Sequence, residues 1–209
     1  MKRMLTALAA LAISFGLNDP VHAGQINIGG YSFSDELGGF QLKSVRGQGS
    51  RRNPFVIVEE LQSPGPVILT IRRLPPPADA ESGPHIVPLY GMQISLEKIT
   101  VNKTGLVWVG FDLELQEKLN VPSPHGDGLS FDQVEKRENS VRANRFAVAD
   151  RLFEPHDRIH FFKGHVNPDD SAQFTVHITD ITPTKVFYLL QEPQFLFAQN
   201  QHQLTLAAR

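Results

Sequence analysis

Three histidines fall within ten residues, His156, His160 and His165, with Asp157, Asp169 and Asp170 close by in the chain. Imidazole and carboxylate together are the ligand chemistry of zinc and related transition metals. The spacing works against it. On an extended chain His156 and His160 share a face but stand about 13 Å apart, at roughly 3.3 Å per residue. Zinc–nitrogen bonds are only about 2.0–2.1 Å long. A shared metal therefore needs the turn at Glu154-Pro155 to fold His156 back. Surface or half-buried histidines are the leading reading, and His156, His160 and His165 stand as the candidate metal ligands. Two Asp-bearing turns, Asp127-Gly128 and Asn167-Pro168-Asp169-Asp170, carry calcium-type oxygen ligands, but neither has the spacing of a calcium loop. Their ordinary role is to make turns. No cofactor is expected, with zinc or calcium as the exceptions to test.

A second candidate is built on the only tryptophan, Trp108. By period-2 alternation Trp108, Asp112 and Glu114 share one strand face. The leading reading is a Trp buried under a second layer. The functional alternative is an exposed aromatic platform, flanked by the two acids, for a sugar or peptide. Elsewhere, Glu59 and Glu60 are adjacent acids, but neighbours on a strand point to opposite faces and cannot flank one substrate. The loop Gly47-Gln48-Gly49-Ser50-Arg51-Arg52 is basic, yet its glycines fit no phosphate-binding fingerprint. The chain has no G-x-S-x-G, H-E-x-x-H or phosphate-loop motif.

These residues must be positioned by strands. Residues 172–179 alternate without a break, with Ala172, Phe174, Val176 and Ile178 on one face and Gln173, Thr175, His177 and Thr179 on the other. Residues 93–117 predict two long strands joined by a tight turn at Asn102-Lys103-Thr104-Gly105, with Val107, Val109, Phe111, Leu113 and Leu115 on the core face. In the first of these strands Ile94 and Leu96 share a parity that Ile99 and Val101 do not, which predicts a β-bulge at Glu97-Lys98. Residues 54–61 and 67–73 predict a hairpin in which Glu59 and Glu60 face Arg72 and Arg73. Residues 119–144 are the least strand-like part. They read as a long exposed loop, the kind of insertion on a rigid scaffold where binding sites sit.

Composition narrows the class. Lys2 and Arg3, an apolar stretch over residues 4–17, and Val21-His22-Ala23 before Gly24 make residues 1–23 a cleavable export signal. Taking Lys2, Arg3 and Asp19 from 20 basic and 22 acidic residues leaves 18 and 21, a net charge of −3. That balance makes no case for nucleic acid. Removing 23 of 209 residues leaves 186, enough for one well-buried core. The absence of cysteine excludes thiol catalysis and Cys-ligated metals, and in an exported chain it favours a bacterial periplasmic or secreted protein. No transmembrane segment is expected in the mature chain.

Two segments carry a resemblance. Residues 99–117, with an N-x-T-G turn followed by Trp and an F-x-L-E-L strand, are similar to a hairpin in secreted bacterial β-sandwich surface and matrix proteins. Residues 157–180, D-R-I-H-F-F-K-G-H-V-N-P-D-D-S-A-Q-F-T-V-H-I-T-D, look like the strand–Gly–Pro-turn–strand that follows in them. The resemblance covers about a quarter of the chain. Those proteins often end in a sorting tail that this chain lacks, so it implies a fold class, not surface anchoring.

The sequence thus predicts an all-β protein: one antiparallel β-sandwich of seven to ten strands, Ig-like or jelly-roll-like, over residues 24–209, with little helix beyond the signal peptide. The expected role is a non-catalytic binding or structural module in the periplasm or at the cell surface, with a protein or polysaccharide partner. The alternative is an exported hydrolase or metal-dependent enzyme using His156, His160 and His165.

Overall fold

The computed structural model describes residues 24–75, 91–132, 140–152 and 156–196. The export signal expected over residues 1–23 lies outside them. Among the described residues thirteen strands run in chain order: β1 (Gln25–Ile28), β2 (Tyr31–Ser34), β3 (Phe40–Arg46), β4 (Phe55–Leu61), β5 (Val67–Arg73), β6 (Met92–Asn102), β7 (Gly110–Gln116), β8 (Leu129–Phe131), β9 (Arg142–Ala143), β10 (Phe146–Leu152), β11 (Arg158–Gly164), β12 (Ser171–Asp180) and β13 (Val186–Gln194). The count exceeds the expected range because several strands are only two to four residues long.

Two sheets form the all-β sandwich that the alternation implies. The first has the order β1-β2-β5-β13-β7-β11-β10, and the second β3-β4-β6-β12-β8, with β9 also paired to β12. Every pairing is antiparallel except β4 with β6, which is parallel. Between the sheets lie Phe33, Leu69, Leu113, Ile159 and Phe161 from the first, and Phe55, Ile57, Leu96, Phe174 and Val176 from the second. Phe174 joins the layers, 4.6 Å from Phe111 and 5.0 Å from Phe161 between ring centroids. No helix among the described residues is long and apolar enough to cross a membrane.

Neither predicted hairpin exists. β4 and β5 belong to different sheets, as do β6 and β7. Glu60 pairs with Lys43 at 2.8 Å, and Arg72 pairs with Glu36. The crossing after β6 is organised by Asn102. Its buried amide donates to the carbonyls of Leu106 (2.7 Å) and Val166 (3.1 Å), while its carbonyl oxygen accepts from Thr104. The crossing also breaks the period-2 pattern. Val107 is exposed, whereas Trp108 and Phe111, three residues apart, are both buried.

The bulge predicted at Glu97-Lys98 is absent as well. The register of β6 runs unbroken against β4 and β12. Met92, Ile94, Leu96, Lys98, Thr100 and Asn102 all point into the core. What looked like a change of parity is a polar patch inside the sandwich. Lys98 and Glu59 are both fully buried, and Lys98 Nζ donates to Glu59 Oε1 at 2.5 Å. Thr100 Oγ1 donates to the same oxygen (2.9 Å), and Gln191 Nε2 reaches Oε2 from the opposite sheet (3.3 Å).

Residues 119–144 are a further correction. They supply β8 and β9, and Ser123, Leu129, Ser130, Phe131 and Asp132 are buried. Residues 133–139, part of the expected loop, lie outside the described residues.

Because one amide closes the crossing between the sheets, Asn102→Ala strands the carbonyls of Leu106 and Val166. The expected cost is about 1–3 kcal/mol. Chemical denaturation followed by Trp108 fluorescence measures it, since Trp108 packs 5.3 Å from Phe111 on the same crossing.

Candidate functional site

The sequence candidates sort themselves by face. Trp108 is fully buried, and its indole N–H donates to Thr104 Oγ1 at 3.2 Å. The exposed platform is therefore excluded: the broken period after β6 turns Trp108 into the core while Asp112 and Glu114 stay on the outer face of the first sheet. The histidines are not gathered either. Among the described residues no three His, Asp or Glu side chains come together as a metal would require. His160 lies within β11, His156 precedes that strand, and His165 is exposed beyond its end. The strand keeps them apart, so the three-histidine metal set is not assembled. The Asp turns act as turn residues: Asp127 Oδ1 accepts from the Leu129 amide, and Asp169 pairs with Lys103 at 2.7 Å.

What the fold brings together instead is Asp112 with His160. The two are register partners on β7 and β11, and Glu192 on β13 is the partner of Asp112 on the other side. Asp112 bonds His160 Nδ1 and Arg158, and accepts from Gln194 Nε2 at 2.9 Å. Arg158 also reaches Glu192 at 2.9 Å and Glu114 at 3.6 Å. The hydrogen bond to Asp112 is the strongest influence on His160 and raises its pKa. Burial and the Arg158 charge oppose the shift, and the charges of Asp112 and Asp150 add to it. The cluster is compact, with Arg158 and His160 set among the carboxylates of Asp112, Glu114 and Glu192, which suits a structural network on a sheet face.

A different place offers an open cavity. On the outer face of the second sheet, Ser95 on β6 and His177 on β12 are register partners, with Ser95 Oγ and His177 Nδ1 hydrogen-bonded at 2.8 Å. Both are nearly sealed, at 7% and 4% exposure. They line a pocket of about 310 Å³ shared with Arg51, Glu97, Ser140, Arg142 and Thr175. That volume is at the small end of ligand sites. Arg51 comes from the Gly-rich loop, which is held to β6 by the Ser95 amide donating to the Gly49 carbonyl at 2.8 Å. Arg51 also bonds the buried Asp132 at 2.9 Å. Burial alone would raise the Asp132 carboxyl, but hydrogen bonds to it and the Arg51 charge carry it below the usual carboxylate range. Arg142, exposed on β9, lies 3.5 Å from Thr175 Oγ1. Glu97 forms the opposite wall, hydrogen-bonded by Gln173.

In the sequence the Arg51 loop is basic but fits no phosphate-binding fingerprint. Alternation does place His177 and Thr175 on the outer face. The sequence carries no signal for the convergence, which depends on the Arg51 loop meeting strands β6, β12 and β9. Comparison with family models, with curated proteins and with solved structures finds no match for this chain.

His160 supplies a pH dependence with a definite sign. Its folded pKa is raised, so its contribution to stability is fully present below the ordinary histidine value of about 6.5 and is lost as pH rises through the raised midpoint. NMR titration of the wild type is expected to place His160 above about 6.5, with Asp112→Asn bringing the midpoint down. A wild-type midpoint at or below that value refutes the pairing.

Proposed function

We propose that this chain is an exported, non-catalytic β-sandwich binding module of the periplasm or cell surface, and that it seizes a ligand bearing an anionic group in the pocket over Ser95 and His177. The observation that carries the reading is the convergence of Arg51 and Arg142 on one small pocket floored by hydrogen-bonding side chains. Guanidinium groups match carboxylate and phosphate oxygens in a planar fork. Ser95, Ser140 and Thr175 add neutral hydrogen-bonding groups. Glu97 repels a second anion and so orients the ligand with its charge towards the arginines. The acidic residue of a polysaccharide or of a partner protein presents this chemistry. Export is supported by Lys2, Arg3, the apolar stretch and the small-residue site before Gly24.

A hydrolase is the second reading, now centred on Ser95 and His177 because of their 2.8 Å contact. It is the weaker one, because a serine sealed to 7% exposure is poorly placed to attack a substrate carbonyl.

Calorimetric titration with glucuronate, citrate and inorganic phosphate, with glucose as the neutral control, tests the proposal. At least one anion is expected to bind where glucose does not. Arg142→Ala is expected to weaken it about tenfold or more, the worth of one charge-assisted hydrogen bond. His165→Ala should leave binding unchanged. Failure of all three anions refutes the anionic ligand. Turnover of a nitrophenyl ester that disappears in Ser95→Ala would move the assignment to the hydrolase.

A further inference from the structure

We propose that the Ala23–Gly24 peptide bond is cut during the export proposed above, a step that rests on that reading, and that the α-ammonium group freed on Gly24 then pairs with the carboxylate of Asp35. Gly24 stands immediately before β1, and Asp35 immediately after β2. The Gly24 backbone nitrogen donates to Asp35 Oδ1, and the Gly24 carbonyl accepts from the Asp35 amide at 3.2 Å. These contacts carry the β1–β2 ladder one step past the Gln25–Ser34 pair. The nitrogen that cleavage would expose is therefore already seated on a carboxylate.

That carboxylate lacks a cation. Asp35 is buried, at 8% exposure, and two backbone amides hold it: Gly24 on Oδ1 and Leu42 on Oδ2 at 2.8 Å. Among the described residues no lysine, arginine or histidine side chain forms an ion pair with it. A buried carboxylate is costly unless a positive charge and hydrogen bonds compensate it. While residue 23 is attached, the Gly24 nitrogen is a neutral amide. Once freed, it is an α-amine, which keeps its extra proton up to about pH 7.7–8.0. A charge-assisted hydrogen bond is about twice as strong as a neutral one. The glycine itself points the same way. A Cβ at residue 24 would stand 3.2 Å from Asp35 Oδ2 and 3.5 Å from the Leu42 carbonyl oxygen, so any side chain there would press on the carboxylate. The cleavage signal asks for small residues before the cut. It is the fold that asks for glycine after it.

The covalent step is a hydrolysis, and it balances. One water is consumed at the active site of an export-signal peptidase. Its oxygen joins the Ala23 carbonyl carbon, the bond from that carbon to the Gly24 nitrogen breaks, and Ala23 leaves as a carboxylate. Both protons of the water end on the Gly24 nitrogen as ammonium. Leu42 belongs to β3 in the second sheet, whereas Gly24 adjoins β1 in the first. Asp35 thus fastens the start of the mature chain to an edge strand of each sheet. The precursor lacks this ion pair, so the added stability arrives only when the export signal has been removed.

Two measurements test the pairing. In the first, the full chain is expressed in a bacterium, and the protein recovered outside the cytoplasm is read by intact mass and N-terminal sequencing. Gly24 is the expected first residue. Another first residue overturns the docking and leaves export standing, whereas an uncut chain kept in the cytoplasm sinks the export reading as well. In the second, residues 24–209 and residues 21–209 are each released from a cleavable tag and unfolded in urea at pH 7. The longer chain has a neutral amide at Gly24 and carries its ammonium three residues away. The shorter chain is expected to show a folded-to-unfolded ratio about fivefold or more higher, the gap between a charged and a neutral hydrogen bond. Asp35→Asn in both chains is expected to close that gap. Equal stability of the two wild-type chains overturns the ion pair, and this comparison holds even where Asp35→Asn fails to fold. A gap that survives Asp35→Asn overturns it too.

Discussion

The Glu59 carboxylate is the point on which the sandwich turns. It is fully buried, accepts from Lys98 and Thr100 on the neighbouring strand, and reaches Gln191 on the opposite sheet. Removing an ammonium and a carboxylate from water costs several kcal/mol per ion, and the attraction between them returns this only when the geometry is good. The pair is therefore a poor source of raw stability. It is a strong source of specificity. Strand β6 has apolar residues on both faces, with Ile94 and Leu96 inward and Ile99 and Val101 outward. A one-residue slip would exchange them at modest hydrophobic cost. The same slip would leave Glu59 buried without its cation, which costs far more. The ion pair thus fixes the register of β6 between β4 and β12.

That role explains what was and was not legible in the amino-acid sequence. The alternation of residues 172–179 and of Phe111, Leu113 and Leu115 identified inward faces correctly, because burying apolar side chains every second residue leaves no other arrangement. Alternation is silent on which sheet a strand joins. Strands β4 to β7 pass from sheet to sheet at each step, and β11, β12 and β13 do the same. Each crossing reads, in sequence, like a hairpin turn. The bulge assigned to Glu97-Lys98 failed for a different reason. It assumed that core positions are apolar, and an inward Lys98 beside an inward Glu59 satisfies the same period with charged residues.

The sites were legible in part. Asp112, Glu114 and His160 do share an outer face, but their meeting depends on β7 lying beside β11, which no local pattern states. Trp108 was misplaced as a site residue because the parity count was carried through a crossing where the backbone leaves the extended state. The pocket residues were harder still. Arg51, Ser95, Arg142 and His177 come from a loop and three strands widely spaced in the chain, and none of them sits in a local motif.

The pocket nonetheless inherits its rigidity from the core. Ser95 sits between Ile94 and Leu96, and His177 between Val176 and Ile178, all four of them buried inward. Neither floor residue can shift along its strand without dragging two core side chains through a packed layer. Because β6 is also the strand whose register the ion pair fixes, the polar centre of the sandwich and its outer pocket are mechanically one object. Any adjustment to the proposed ligand would fall to Arg142, exposed on its two-residue strand, since Arg51 is tied to the buried Asp132. That division, a fixed floor with Arg51 held by Asp132 and one exposed guanidinium at Arg142, would suit the proposed recognition of a charged group better than a reaction needing every atom held in place.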